Sequence, residues 1–178
     1  KAIEINPKIP DLHNNLGLIY REMGELEKSS DSIKKAIQIN PMYAEAHSNL
    51  GLVYKDLGQT ERAEKSLIKS IEIKPNNADP HNNLGLIYKE IGNHDKSLRY
   101  YLKAIEIDKT SAISHLNIGV IYKEKGNLIK AIEHTKISLE LNSNIKNGAL
   151  NLASIYNDKG EYIKSFELAK KEILINEN

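Results

Sequence analysis

The chain repeats itself every 34 residues, and this periodicity constrains the fold more than any other feature of the sequence. A first glycine column recurs on this step, at Gly17, Gly51, Gly85 and Gly119. A second column follows seven residues later, at Gly24, Gly58, Gly92, Gly126 and Gly160. Periods of about 20 to 50 residues are typical of proteins that stack one small structural unit on the next. The sequence therefore predicts a solenoid.

Each repeat is expected to be a helical hairpin, because its apolar residues follow helical spacing, as at Leu16, Ile19 and Tyr20. The first helix is expected to begin near an acidic cap, at Asp79 with Pro80 as the first helical residue, and to end at the second glycine. The glycine inside the first helix costs about 1 kcal/mol relative to alanine, so its recurrence predicts close packing of the two helices. The expected partners are small residues of the second helix, at Ser29, Ala63, Ser97, Ala131 and Ser165.

The period divides the chain into five units and one fragment. The five units are residues 10–43, 44–77, 78–111, 112–145 and 146–178. Residues 1–9 match the closing stretch of each unit, so we expect them to be the tail of a truncated preceding repeat. The chain also lacks an initiator methionine, which suggests a piece of a longer protein.

Composition argues against several classes of function. The net charge is only +1, which disfavours a strongly basic nucleic-acid-binding protein, and the absence of cysteine excludes disulfides and thiolate metal sites. No apolar run approaches the roughly 18 residues that a membrane span needs, and no signal peptide is recognisable. We therefore expect a soluble, cytoplasmic protein that binds neither membrane nor nucleic acid.

The strongest motif resembles the tetratricopeptide repeat family. It occurs as HNNLGLIYREMG at 13–24, HSNLGLVYKDLG at 47–58 and HNNLGLIYKEIG at 81–92, and it drifts in the last two units. The resemblance implies an all-α solenoid of tandem helical hairpins that form a right-handed superhelix. It also implies that the first helices line a concave groove, in which such arrays bind extended peptides or partner helices.

One column on the expected groove face is invariant within the chain: Asn15, Asn49, Asn83, Asn117 and Asn151. A side-chain amide both donates and accepts, so it can bind a backbone peptide unit whatever the ligand's sequence. The column is similar to the asparagine ladder in the superhelical repeats of the O-linked N-acetylglucosamine transferase family. Two other interpretations stay open: hydrogen bonding between adjacent hairpins, and composition, since Ile, Lys and Asn make up 66 of the 178 residues.

Neighbouring columns complete the predicted peptide-binding site. An apolar row is expected either to contact ligand side chains or to seal the joint between repeats; its members are Leu18, Leu52, Leu86 and Val120. A basic row contains Arg21, Lys55, Lys89 and Lys123, and an acidic row contains Glu22, Asp56, Glu90, Glu124 and Asp158. Further acids at Asp11, Glu45 and Asp79 make the groove acidic, which predicts weak discrimination against acidic peptides. The alternative is that these charges pair between neighbouring helices.

No residue set predicts catalysis, a bound metal or a cofactor. The recurring histidines His13, His47, His81 and His115 lie on separate repeats about 10 Å apart, too far for one ion, so a structural role is expected. His94 and His134 are expected to be isolated.

The leading hypothesis is a non-catalytic scaffold that binds a protein or an extended peptide. The alternative is a substrate-recognition arm of a larger transferase whose catalytic domain lies outside this segment. Self-association through apolar residues at the open ends, such as Ile3, Ile5, Ile173 and Leu174, is a third hypothesis.

Overall fold

The computed structural model describes residues 9–176, which form ten α-helices and no strand. The helices are α1 Pro10–Glu22, α2 Leu26–Ile39, α3 Ala44–Asp56, α4 Thr60–Ile73, α5 Ala78–Glu90, α6 His94–Ile107, α7 Ala112–Glu124, α8 Leu128–Leu141, α9 Gly148–Asp158 and α10 Tyr162–Asn176. The expected all-α class and tandem helical hairpins are confirmed. The helices form two compact units, residues 1–90 and 91–178.

Two expectations fall largely outside the described residues. The predicted tail at residues 1–9 is described only at Ile9. The apolar side chains proposed for self-association, at Ile3, Ile5, Ile173 and Leu174, also lie outside the side chains that the structure describes.

The second glycine column ends the first helix of each hairpin. Gly24 has a φ of +76°, and its counterparts have φ between +71° and +82°, a left-handed conformation that favours glycine. The N–H of Gly24 donates to the carbonyl of Arg21 at 3.0 Å, and the N–H of Glu25 donates to the carbonyl of Tyr20 at 2.8 Å. This pair of bonds is a Schellman motif, so the predicted role of the second glycine is confirmed.

In the first compact unit, the first glycine column lets paired helices pack closely. A Cβ placed on Gly17 would lie 2.4 Å from Ile33 Cγ1, and one on Gly51 would lie 2.6 Å from Leu67 Cγ. The same Cβ atoms would lie 3.1 and 3.2 Å from the carbonyl oxygens of Ser29 and Ala63. The predicted close packing against small residues is therefore confirmed in these two hairpins. The Ser29 hydroxyl also donates to the buried carbonyl of Gly17 at 2.7 Å.

Consecutive hairpins of this unit share an apolar core. Ile33 and Ala36 of α2 pack with Ala46, Leu50 and Val53 of α3, and all five are buried. The core side chain of the second helix thus faces both its own partner, at Gly17, and the next hairpin. Because one hairpin cannot bury its apolar surface alone, stability comes from stacking.

The expected start of α5 is wrong by one to two residues. The helix begins at Ala78, so Asp79 and Pro80 lie inside its first turn. Asn77 provides the cap, because its Oδ1 accepts a hydrogen bond from the N–H of Asp79 at 3.1 Å. Either Asn or Asp can satisfy the free N–H groups at a helix start, which is why composition alone misplaced the cap.

The second compact unit keeps the same packing with local departures. A Cβ on Gly119 would lie 2.3 Å from Thr135 Oγ1 and 3.2 Å from the carbonyl oxygen of Ala131. The helix α9 is shortened to 11 residues, because Asn147 adopts a left-handed conformation with φ of 64° immediately before Gly148. Among the helices that the structure describes, none is both long enough and apolar enough to cross a membrane.

Candidate functional site

The asparagine column lies on one face of the first helices. Asn49 is separated from Gly51 by about 200° around the helix axis, so it points away from the face that packs on α4. Asn15 is exposed, and Asn49, Asn83, Asn117 and Asn151 are half-buried. In each compact unit, the amides of this column therefore reach the surface on the face opposite the hairpin contact.

The amide of Asn49 also bonds to the scaffold. Its Nδ2 donates to Asn14 Oδ1 at 3.0 Å, and Asn14 Nδ2 in turn reaches Glu45 Oε1 at 3.5 Å. Asn14 is fully buried, so this network satisfies a polar group that would otherwise be costly. Asn49 thus links α1 to α3 with one of its two N–H groups, as the hydrogen-bonding interpretation proposes. The sequence offered a signal for Asn14, since Asn82 recurs 68 residues later.

The apolar row accompanies the amides. Leu18, Leu52, Leu86 and Val120 are all half-buried. Leu52 lies three residues after Asn49, so the two side chains share one face of α3. Each member therefore presents part of its surface to solvent next to a carboxamide.

The basic row pairs with acids of the following repeat. Arg21 Nε lies 2.6 Å from Asp56 Oδ2, and Lys55 Nζ lies 3.3 Å from Glu90 Oε1. In the second unit, Lys123 Nζ lies 3.3 Å from Asp158 Oδ2. The acid follows its cation by 35 residues in each case, one repeat plus one position. The pairing alternative is therefore observed at these three junctions.

The cations of these pairs retain partial exposure. The Lys55 side chain is 20% exposed and that of Lys123 is 30% exposed, while their acids are more open. Lys89, the other predicted peptide contact of this row, is half-buried at the equivalent place in α5. Exposed ion pairs contribute at most about 1 kcal/mol, so a ligand can displace them.

His134 is not isolated, which corrects the sequence-based expectation. His115 Nδ1 and His134 Nδ1 lie 3.1 Å apart, and the two rings stack with centroids separated by 5.2 Å. Burial lowers the pKa of both imidazoles, and the positive charge of His115 lowers the pKa of His134 further. One neutral ring must donate and the other accept, so protonation of both would break the bond. The pair was missed because position 134 has no histidine counterpart in other repeats.

The described residues contain no group of three or more His, Cys, Asp or Glu side chains that could hold a metal ion. The recurring histidines instead contact the scaffold where their bonds are seen. His47 Nε2 lies 3.0 Å from the carbonyl oxygen of Pro41, which ends the preceding repeat. This contact agrees with a structural role at the joint between hairpins.

Models of one repeat family match most of the chain. A model described as TPR repeat matches residues 17–58, and one described as tetratricopeptide repeat matches residues 42–110. A further tetratricopeptide repeat model matches residues 1–29 and 100–133. No match was found among curated protein sequences.

Solved structures give the same result. PilF from Pseudomonas aeruginosa is similar with a TM-score of 0.83 and 25% identity, covering 89% of this chain and 72% of PilF. MamA has a TM-score of 0.76 and 22% identity over 91% of this chain and 88% of MamA. YrrB, described as a TPR protein with an unusual peptide-binding site, has a TM-score of 0.72 and 22% identity over 100% of this chain and 92% of its own. The motifs, the hairpin geometry and these matches together show that the chain belongs to the tetratricopeptide repeat family.

Proposed function

We propose that the chain is a non-catalytic scaffold that binds an extended peptide segment through its asparagine column. The observation that carries the proposal is the recurrence of Asn at five equivalent positions, none of them buried, on the face opposite the hairpin contact. The chain's membership of a repeat family built for protein interaction supports it. So does the similarity to YrrB, which is described as having a peptide-binding site.

The chemistry of the face suits the main chain of a ligand. Each amide offers N–H donors and a carbonyl acceptor, the two functions that a peptide group requires from its partner. Asn49 commits one N–H to Asn14, which fixes the orientation of its amide. The adjoining row, represented by Leu52, then provides apolar contact for ligand side chains, and Lys55 and Lys89 provide charge at its margin. Pre-oriented groups of this kind reduce the entropy lost on binding.

The test begins with peptides of 12 residues selected from a random library on the intact chain. Isothermal titration then compares the wild type with the double variant Asn49→Ala and Asn83→Ala. We expect affinity to fall at least tenfold, since two amide contacts are lost at about 1 kcal/mol each. A peptide N-methylated along its backbone should also bind weakly, because its N–H donors are absent.

Asn14→Ala is the matched control, because it removes the same Asn14–Asn49 hydrogen bond from a side chain that is fully buried. We expect this variant to lose stability, measured by circular dichroism in urea, while binding changes much less than in the double variant. Equal losses of affinity in the control and the double variant would show that the column serves only the scaffold. Unchanged affinity in the double variant would also defeat the proposal.

A further inference from the structure

A cleft with a basic rim opens on the first compact unit. It has a volume of about 600 Å³ and lies between α2 and α4, with α3 behind them. Four cationic side chains line it: Lys34 from α2, and Arg62, Lys65 and Lys69 from α4. All four residues are exposed, and no Asp or Glu is among the described residues that line this basic cleft.

The interior of the basic cleft is apolar and aromatic. Leu50 is buried, and Ile37 and Tyr54 are half-buried beside it. The Arg62 guanidinium lies 5.8 Å from the centroid of the Tyr54 ring, and Lys34 Nζ lies 5.9 Å from it. Cations within about 6 Å of an aromatic face are held near it, so the ring keeps two charges at the entrance.

The ion pairs of the rim are weak enough to yield to a ligand. Lys34 lies 3.5 Å from Asp31 and Lys69 lies 3.0 Å from Glu72, each within one helix. Both pairs are exposed, and pairs of this kind contribute little to stability. A ligand carboxylate can therefore replace Asp31 or Glu72 at small cost.

The basic cleft is separate from the asparagine column. His47, Leu50 and Tyr54 face the cleft and are spaced three, four and seven residues apart, so they form one stripe on α3. Asn49 and Leu52 lie about 140° to 200° away around the same helix. The two surfaces lie on different faces of one element, so a ligand of one leaves the other accessible.

The basic rim is not a by-product of the repeat pattern. At the positions 68 residues later, the four cations are replaced by Leu102, Lys130, Glu133 and Ile137. His115 and Tyr122 retain the inner columns of the cleft at the same offset. The repeat therefore conserves the interior while the first unit alone, of these two, concentrates positive charge around it.

We propose that the basic cleft binds an acidic segment of a partner protein, with one apolar side chain inserted and flanking carboxylates on the rim. Charge complementarity favours an acidic partner, because four cations surround the cleft without an acid among its described lining. The apolar interior requires a side chain between those acids. A nucleic acid fits less well, because the cations are confined to one cleft and the whole chain carries a charge of only +1.

The probe is a fluorescein-labelled peptide, Glu-Asp-Glu-Leu-Glu-Asp-Glu, titrated with the intact chain and followed by fluorescence anisotropy. Saturable binding is expected, and it should weaken as salt rises, because the contacts are exposed. The triple variant Lys34→Gln, Lys65→Gln and Lys69→Gln should bind about tenfold more weakly, a loss of about 1.4 kcal/mol. Replacing the acids of the peptide by Gln and Asn should abolish binding.

The matched control changes the net charge equally outside the cleft, with Lys28→Gln, Lys35→Gln and Lys74→Gln. All three lysines are exposed and none lines the basic cleft. The control should bind the peptide as the wild type does. Loss of affinity equal to that of the cleft variant, absence of binding to the wild type, or tighter binding of an oligouridylate of matched charge would each overturn the proposal.

Discussion

The close contact between Gly51 and Leu67 makes a sharp test of the packing. Alanine normally stabilises a helix relative to glycine by about 1 kcal/mol. Here its Cβ would lie 2.6 Å from Leu67 Cγ, the branch atom of a fully buried side chain, and 3.2 Å from the fixed carbonyl oxygen of Ala63. Overpacking costs about 1 to 3 kcal/mol, and neither neighbour can easily move. We expect Gly51→Ala to lower the free energy of unfolding by about 2 kcal/mol, the upper part of that range less the helical gain.

The chain contains its own variant of this contact. In the last repeat, Ala153 occupies the position of Gly51, and position 169, the counterpart of Leu67, is also alanine. The larger residue on one helix is thus accompanied by a smaller one on the other. This pattern predicts that the effects of Gly51→Ala and Leu67→Ala are coupled.

A double-mutant cycle measures the coupling. Leu67→Ala alone should cost about 2 to 5 kcal/mol, because it leaves a cavity. In the Gly51→Ala background the added methyl group partly fills that cavity, so the double variant should cost less than the sum of the single variants by about 1 to 3 kcal/mol. Urea unfolding followed by circular dichroism gives all four free energies. A stabilising Gly51→Ala, or additive costs, would refute the packing argument.

Three further predictions concern single features. Gly58→Ala should lower stability by about 1 kcal/mol in the same urea assay, because its φ of +71° is strained for any side chain; an unchanged midpoint would contradict this. Ser29→Ala should cost about 1 kcal/mol through loss of the buried 2.7 Å bond to the carbonyl of Gly17, and a smaller loss in the wild type than in a Ser30→Ala comparison would argue against it. The lowered pKa values of His115 and His134 mean that the unfolded chain binds protons more readily, so stability should be full above pH 6.5 and fall as the pH drops below it. His134→Leu should flatten that dependence, and an equally steep profile in the variant would exclude the pair as its cause.

The repeat pattern predicted the hairpins because it encodes local rules. Gly24 closes a helix whatever lies elsewhere in the chain, and Gly17 reports a contact only 12 to 16 residues away. Such features recur on every period and can be read from one sequence. The start of α5 was misplaced because Asn77 and Asp79 are both competent caps and lie two residues apart.

The features that the sequence did not predict depend on contacts between repeats or on residues outside the columns. The network from Asn49 through Asn14 to Glu45 joins two hairpins, and its partners are 31 and 35 residues apart. His134 has no counterpart on the period, so nothing marked it as a neighbour of His115. The basic cleft draws cations from two helices at unrelated positions. Only stacking of the hairpins brings these groups together.

The offset of the ion pairs has a consequence for how such an array can grow. Because Arg21 meets Asp56 and Lys55 meets Glu90, each cation is neutralised by the next copy and not by its own. Duplicating residues 44–77 in tandem would give every Lys55 an acid from its successor and every Asp56 a cation from its predecessor. Gene duplication could therefore lengthen the chain without leaving any of these charges unmatched at the new junction.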